Sequence, residues 1–403
     1  MKNKNYNFII LWLSRCLTSM ALTGISPFLP LYIENLGVQD TKHFFLWSGL
    51  VVAAPAVSYA ICTPFWGRLT DRSSKKWMVI RALLGLALSV LFMGLVNTPF
   101  QLFLCRIFQG AFGGISDSST AFIASEVHKS KQGKIIGKLH SASSTGLLLG
   151  PLIGGMLIGI WGFSNLLLLM GSLVFTCTFL AIFLLREEKR KITIINSTDN
   201  IISTFVILYK NRELRFYIIA GIFAKIGDFG IFSIFSPYVK SFINSPNQAA
   251  IWVGILIAST SIGEMIGAPW WGKRNDLFPV EKNYFFATIL CGVFVLLQGF
   301  TENLSLLLII RFFQGFFFSA LIQTIMFFVI QKSNKNNQGV RIGATNSILV
   351  TGQIIGSFIG SIIGSYLGLN VVFFLMGLVF ILSSIFVRYS RPTKISNSSI
   401  NID

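Results

Sequence analysis

The sequence predicts an all-α membrane protein with twelve transmembrane helices arranged as two six-helix bundles. Three observations support this prediction: the low charge of the chain, its recurring long apolar runs and an internal duplication. The chain has 403 residues, of which 53% are hydrophobic and only 12% charged, and its mean hydropathy is +0.70. About 20 apolar residues are needed to cross ~30 Å of hydrocarbon. The runs that approach this length are 7–33, 46–66, 77–96, 99–125, 135–160, 163–185, 216–240, 249–271, 283–300, 304–330, 342–367 and 370–388.

The two halves of the chain repeat one another at a spacing of about 205 residues. The sequence RIFQG at 106–110 returns as RFFQG at 311–315, and PFWG at 64–67 returns as PWWG at 269–272. A duplicated unit that spans the membrane is typical of transporters and not of enzymes.

The net charge of +18 is compatible with nucleic-acid binding, but its distribution favours a membrane protein. The loops on one side hold only Lys42 and Lys240. This asymmetry predicts both termini in the cytoplasm, with the basic loops against lipid head groups and no nucleic-acid partner. Of the 33 Lys and Arg residues, 25 lie in the amino terminus, in 67–76, 126–134, 186–215, 272–282 and 331–341, and after 387.

The polar stretches divide the chain into four parts. These are an N-terminal bundle (1–185), a solvated cytoplasmic linker (186–215), a C-terminal bundle (216–390) and a cytoplasmic tail (391–403). The remaining loops are too short to hold a soluble catalytic domain.

The sequence offers no site for a cofactor, a metal or ATP. Residues 133–139 (GKIIGKL) resemble a phosphate-binding loop, but the glycine spacing is one residue short and Leu139 stands where Ser or Thr should bind magnesium. The five cysteines stand alone in apolar runs, without metal-ligand spacing. We therefore expect no enzyme activity, and transport that is driven by an ion gradient or is passive.

Three local motifs are more specific than composition. The segment 67–76 (GRLTDRSSKK) follows the second run, and Gly67 is expected to permit a tight exit from that helix. In the fourth run, Arg106, Gln109 and Gly110 form an arginine motif. The fifth run contains glycines at four-residue spacing, which favours close helix packing, and a proline that removes one backbone hydrogen bond. Its residues are Gly146, Gly150, Pro151, Gly154 and Gly155.

Together these motifs resemble the major facilitator superfamily, and over the whole chain its twelve-span drug:proton antiporter branch of MdtG-like multidrug exporters. The end of the first run, 27–37 (PFLPLYIENLG), fits the same group. The resemblance implies two bundles that rock around a central cavity in the bacterial inner membrane. It also implies a gating network of Gly67, Asp71, Arg72, Arg81 and Glu126.

Charged residues inside the membrane cost roughly 2.5–3.5 kcal/mol on insertion scales, so each is a candidate functional residue. Proton coupling needs an acid, and the candidates are Asp117, Asp228 and Glu264. Asp117 lies eleven residues after Arg106, which would place both on one helix face. Asp228 is spaced to pair with Lys225, which leaves a static role equally open. The candidates for the substrate cavity are Arg15, Arg106, Lys225 and Arg311.

Two functions remain open. The first is proton-coupled efflux of small amphipathic compounds, as in multidrug resistance. The alternative is export of an endogenous organic anion, such as a hydroxycarboxylate siderophore, which the excess of basic residues in the membrane favours. An uptake symporter and a non-transporting sensor fit the motifs less well. The histidines, His43, His128 and His140, are expected at the interfaces. The expected partners are a small molecule, protons and the lipid bilayer, and we expect a monomer.

Overall fold

The computed structural model describes residues 2–127, 129–187, 201–243, 245–331 and 338–389, and these residues form α-helices joined by short turns. One short 3₁₀ segment, Ser26–Phe28, follows the first helix. The α-helices are α1 (Lys2–Ile25), α2 (Leu29–Asn35), α3 (Thr41–Arg72), α4 (Lys75–Met93), α5 (Pro99–Ala111), α6 (Ile115–Glu126), α7 (Lys129–Trp161), α8 (Phe163–Leu184), α9 (Ile201–Lys210), α10 (Arg212–Phe232), α11 (Phe235–Lys240), α12 (Pro246–Leu277), α13 (Val280–Gln298), α14 (Leu304–Gln331), α15 (Gln338–Leu367) and α16 (Leu369–Tyr389).

Polar side chains start several of these helices. Asp40 precedes α3 and accepts a hydrogen bond from the backbone N–H of His43 at 2.9 Å. This bond lowers the pKa of the Asp40 carboxyl. Ser74, Thr98 and Asn211 cap α4, α5 and α10 in the same way. Each cap satisfies a backbone N–H that has no partner inside its helix.

The duplication seen in the sequence is repeated in side-chain contacts. Trp66 donates its indole N–H to the carbonyl oxygen of Ala111 at 2.7 Å, joining α3 to α5. Trp271 does the same to Phe316 at 3.0 Å, joining α12 to α14. Because each pair lies at the same spacing in its own half, the two halves share their internal packing as well as their motifs.

Two equivalent turns confirm this correspondence. Gly162 separates α7 from α8 with φ +82°, and Gly368 separates α15 from α16 with φ +93°. Positive φ is strained for residues with a Cβ, so glycine is required at both turns.

Within the described part of the chain, ten helical segments are long and apolar enough to cross a membrane. Two predicted spans do not qualify. The run 99–125 is split between α5 and α6, because Gly114 adopts φ +103° and interrupts the helix. The run 216–240 is split between α10 and α11, and α10 also carries Arg212, Glu213, Arg215, Lys225 and Asp228.

Two other expectations differ from the structure. Gly67 does not end its helix, because α3 continues to Arg72, so the predicted exit at this glycine is wrong. The interval 186–215, expected to be a solvated linker, contains α9 and the start of α10, and Leu208 of α9 is fully buried. Residues 188–200 and the predicted tail, 391–403, lie outside the described residues.

The two halves of the molecule touch at one end, which we name the closed end. An ion pair lies across it, between Glu34 of α2 and Lys240 of α11, at 2.5 Å. Nearby, a Cβ on Gly155 of α7 would meet the backbone oxygen of Ala250 of α12 at 2.6 Å. In the first turns of α7, by contrast, a Cβ on Gly137 would meet nothing within 4 Å. Contact with the C-terminal half is therefore close at Gly155 and absent at Gly137.

Glu34 and Lys240 occupy equivalent positions in the two repeats. Each stands two residues after a buried tyrosine that bonds backbone carbonyl oxygens, Tyr32 to Met93 at 2.9 Å and Tyr238 to Thr301 at 3.1 Å. The fold brings these two equivalent positions together, and the opposite charges at them attract across the contact.

Loss of this ion pair should raise the population of the open form, in which the two halves are apart at the closed end. The side chains are 43% and 30% exposed, so the pair is expected to contribute about 0.2–1 kcal/mol. Glu34→Gln should therefore raise the population of the open form up to about fivefold. Distances between spin labels at the exposed Asn35 and Ser241 measure this population by pulsed electron resonance.

The swapped double variant, Glu34→Lys with Lys240→Glu, is the control and should restore the short distance. An unchanged distance distribution in the Glu34→Gln single variant would show that the ion pair does not hold the closed end.

Candidate functional site

The first of two charged clusters surrounds Arg15 in the N-terminal half. Arg15, in the middle of α1, is only 3% exposed. Its Nε donates to Ser143 Oγ at 2.6 Å and its Nη1 to Thr120 Oγ1 at 3.1 Å. Its Nη2 lies 3.3 Å from His140 Nδ1. These three partners lie on α6 and α7, and none of them carries a negative charge.

Asp117 lies near this cluster but has a different hydrogen-bond partner. Its Oδ2 accepts a hydrogen bond from the hydroxyl of Tyr59 at 2.6 Å. Asp117 is exposed and attracts Arg15 electrostatically without forming an ion pair with it at contact distance. Since α6 begins at Ile115, Asp117 lies in the first turn of a helix, where the helix dipole favours a negative charge.

Arg106 does not belong to this cluster. It is 4% exposed, and it donates to the backbone oxygen of Val51 at 3.0 Å and to Gln109 Oε1. The break between α5 and α6 separates Arg106 from Asp117, so the continuous helix face expected from their spacing is absent. The structure places Arg106 between α5 and α3, where it joins the two helices.

The second cluster lies in the C-terminal half and contains Lys225, Asp228, Glu264 and Arg311. Lys225 Nζ is 3.9 Å from Asp228 Oδ2 within α10, as their spacing predicts. Asp228 is also within electrostatic range of Arg311 and Glu264. Two acids and two bases therefore share one region between α10, α12 and α14.

Arg311 is less well satisfied than its repeat counterpart. It is 7% exposed and donates to Gln314 Oε1 at 3.1 Å, as Arg106 does to Gln109. Its guanidinium carbon lies 3.5 Å from the ring centre of Phe235, a cation–π contact. Within the described residues, its Nε and Nη2 have no hydrogen-bond partner.

The structure describes only part of the expected gating network. The side chains of Asp71 and Arg72, in the last turn of α3, lie outside the described part of the chain. Arg81 lies over the Trp66 ring at 3.8 Å and donates to the backbone oxygen of Gly113 at 3.0 Å, beside the break before α6. Glu126 is buried at the end of α6.

The glycines of the α7 motif face two different helices. A Cβ on Gly146, Gly150 or Gly154 would overlap the backbone of α1. Gly155 and Pro151 instead meet α12 of the other half, at the closed end. The motif therefore joins α7 to its own half on one face and to the opposite half on the other.

In the second copy, Gly352, Gly356 and Gly360 approach the backbone of α10, as the α7 glycines approach α1. They serve the same close packing in the C-terminal half.

An apolar cavity of about 350 Å³ lies between α7, α12 and α14. Leu152, Ile255 and Phe312 are among its lining residues. Such a cavity is able to hold an apolar group.

The structure adds two residues that sequence reasoning missed. His140 contacts Arg15, although it was expected at an interface, and Tyr59 contacts Asp117. The spacing of Tyr59 and Asp117 gives no signal of this contact, because α3 and α6 meet only in the fold. No group of three or more metal-ligating side chains is present among the described residues.

The fold and its charged interior define the protein as a helical membrane transporter. The profile of the Major Facilitator Superfamily matches residues 11–245 and 217–402. The chain therefore belongs to the major facilitator superfamily.

Two relatives match the chain over nearly its full length. The staphyloferrin B transporter of Staphylococcus aureus is 40% identical over 390 residues, covering 96% of this chain and 93% of that protein. Multidrug resistance protein MdtG of Salmonella paratyphi C is 28% identical over 387 residues, covering 95% of each. These relatives confirm the resemblance to the MdtG-like exporters.

Solved structures confirm the fold. A bacterial homologue of the human lysosomal transporter Spinster, in an inward-facing and occupied conformation, matches with a TM-score of 0.80 at 14% identity, covering 97% of each chain. The nucleoside transporter NupG matches with a TM-score of 0.73 at 13% identity, covering 96% of this chain and 99% of that one.

The close α1–α7 contact should be sensitive to a single methyl group. Gly154→Ala places a Cβ against the backbone oxygen of Gly24, which cannot move without shifting α1. We expect the free energy of unfolding to fall by about 1–3 kcal/mol. Thermal melting of the purified protein in detergent measures the change.

Gly137→Ala is the matched control in the same helix, because its Cβ would meet no atom within 4 Å. If both variants melted together with the parent, close packing at Gly154 would not stabilise the protein.

Proposed function

We propose that this chain exports a small organic anion of the hydroxycarboxylate siderophore class. It would do so as a secondary transporter in the bacterial cytoplasmic membrane, with both termini in the cytoplasm. In this proposal residues 1–185 and 216–390 are two six-helix bundles, and the split segments α5–α6 and α10–α11 supply the two further spans.

The buried guanidinium of Arg15 carries the proposal. Its hydrogen-bond partners are Ser143, Thr120 and His140, and the described residues supply no ion-pair partner for it. A cation buried in this way is costly unless an anion approaches it. A siderophore carboxylate would be such an anion, and the relative at 40% identity is a staphyloferrin B transporter.

The geometry also supports alternating access. Contacts between the halves gather at the closed end, where Glu34 meets Lys240, while Gly137 at the start of α7 faces open space. With the basic loops in the cytoplasm, the closed end faces outward and the separated end faces the cytoplasm. A substrate would enter from the cytoplasm and leave after the closed end opens.

An anionic substrate determines which driving force can act. A proton on Asp117 would remove the negative charge nearest to Arg15, so proton binding and anion binding favour one another. Exchange of an anion for protons is therefore opposed electrostatically. The membrane potential, negative inside, favours anion export by ~2.3 kcal/mol per charge per 100 mV. We therefore expect the potential to drive this transport.

Uptake of iron-free staphyloferrin B into everted vesicles tests this proposal. A lumen-positive potassium diffusion potential of about 100 mV should raise accumulation by about fiftyfold per net negative charge moved. An imposed pH gradient without a potential should have little effect. Vesicles without the protein are the control, and absence of protein-dependent uptake would contradict anion export.

A second candidate is proton-coupled efflux of small amphipathic cations. The MdtG relative supports it, and the apolar cavity between α7, α12 and α14 provides a surface for a lipophilic group. Asp117, Asp228 and Glu264 would carry protons in this case, because a cation and a proton compete for one acid. The α7 glycine–proline motif is common to both candidates.

Asp117→Asn tests the second candidate. If Asp117 exchanges protons for cations, this variant should lose most of the proton efflux that ethidium evokes from energised everted vesicles. Acridine-dye fluorescence measures that efflux. Asp40→Asn is the control, because Asp40 is exposed before α3 and Asn also caps a helix. Unchanged efflux in Asp117→Asn would exclude Asp117 as the coupling acid.

A further inference from the structure

The contact between Arg15 and His140 fixes the protonation of the histidine ring. A guanidinium has only donors, and it stays protonated in proteins. His140 Nδ1, 3.3 Å from Arg15 Nη2, must therefore be the acceptor. The ring is neutral and its proton is on Nε2.

His140 is exposed, whereas the guanidinium that it contacts is buried. The residue lies on α7 three residues after Gly137, at which a Cβ would meet no atom within 4 Å. Within the described residues, no hydrogen bond other than the one with Arg15 is found for the His140 side chain. A donor on an exposed side chain, beside a buried guanidinium, is available to a ligand.

We infer that Arg15 and His140 form a subsite that receives one carboxylate of the transported anion. His140 Nε2–H would contact the carboxylate first, and the guanidinium would supply the charge and further N–H donors when Thr120 or Ser143 releases it. Arginine suits this role because its planar fork matches a carboxylate. The inference rests on the proposed export of an organic anion and names the residues that recognise it.

Protonation of His140 would strengthen the subsite. The charged groups that act on the ring or on its partner are Arg15 on α1 and Asp117 on α6, whereas Lys138, two residues before His140 on α7, does not face the ring. A protonated ring carries N–H on both nitrogens, so Nδ1 can no longer accept from Arg15. The two cations would then both face the ligand, and the exposed Asp117 would oppose them only in part. Anion affinity should rise as the pH on the cytoplasmic side falls from 7 to 5.

The test compares kinetics of iron-free staphyloferrin B uptake into everted vesicles, whose outer medium bathes the cytoplasmic side. Arg15→Lys keeps the charge but loses the fork, so KM should rise about tenfold or more with kcat little changed. His140→Asn keeps an acceptor near the position of Nδ1 but does not titrate. Because it loses the Nε2–H donor, its KM should exceed that of the parent, and this KM should no longer fall between pH 7 and pH 5.

His43→Asn is the matched control, because His43 is an exposed histidine at the start of α3 that pairs with Asp40. Its pH profile should equal that of the parent. An unchanged KM in Arg15→Lys, or a parental pH profile in His140→Asn, would overturn the subsite. Absence of uptake by the parent protein would instead reject the proposed function itself.

Discussion

The cost of holding arginine inside an apolar helical protein is the constraint on which this structure depends. Each such charge requires hydrogen-bond acceptors, and the three arginines Arg15, Arg106 and Arg311 meet the requirement differently. Arg106 is bonded to Val51 and Gln109 and joins two helices. Arg311 has two nitrogens without partners among the described residues, and Arg15 has only uncharged partners. Because Arg106 also has only uncharged partners, Arg15 is distinguished by the exposed His140 beside it, and Arg311 by its two nitrogens without partners among the described residues.

The duplicated fold provides a stable frame, and function arises where the two copies differ. Close packing of glycines joins α7 to α1 and α15 to α10 in the same manner. At the closed end the copies carry opposite charges, Glu34 and Lys240, which attract across the contact between the halves. In the interior, the C-terminal half has Glu264 where the repeat places Tyr59, so acids and bases are distributed unequally.

Much of the fold was predictable, because hydropathy and repetition act over long stretches of sequence. The duplicated motif at Arg106 and Arg311 and the pairing of Lys225 with Asp228 follow from spacing alone. The break at Gly114 was not predicted, although two adjacent glycines stand there, because apolar composition continues across it. The role of His140 could not be predicted, since it depends on where α1 meets α7 in three dimensions. The continuation of α3 past Gly67 to Arg72 was not predicted either, because a glycine followed by polar residues is typical of a helix end.

The charge carried by the transported molecule is the central claim, and a current measures it directly. Proteoliposomes adsorbed on a solid-supported membrane would be exposed to a step of iron-free staphyloferrin B, with protein-free liposomes as the control. The account predicts a transient current from negative charge entering the liposomes, lost in Arg15→Gln. No current with the anion, together with a proton-dependent current on addition of ethidium, would contradict the account and identify a cation exporter.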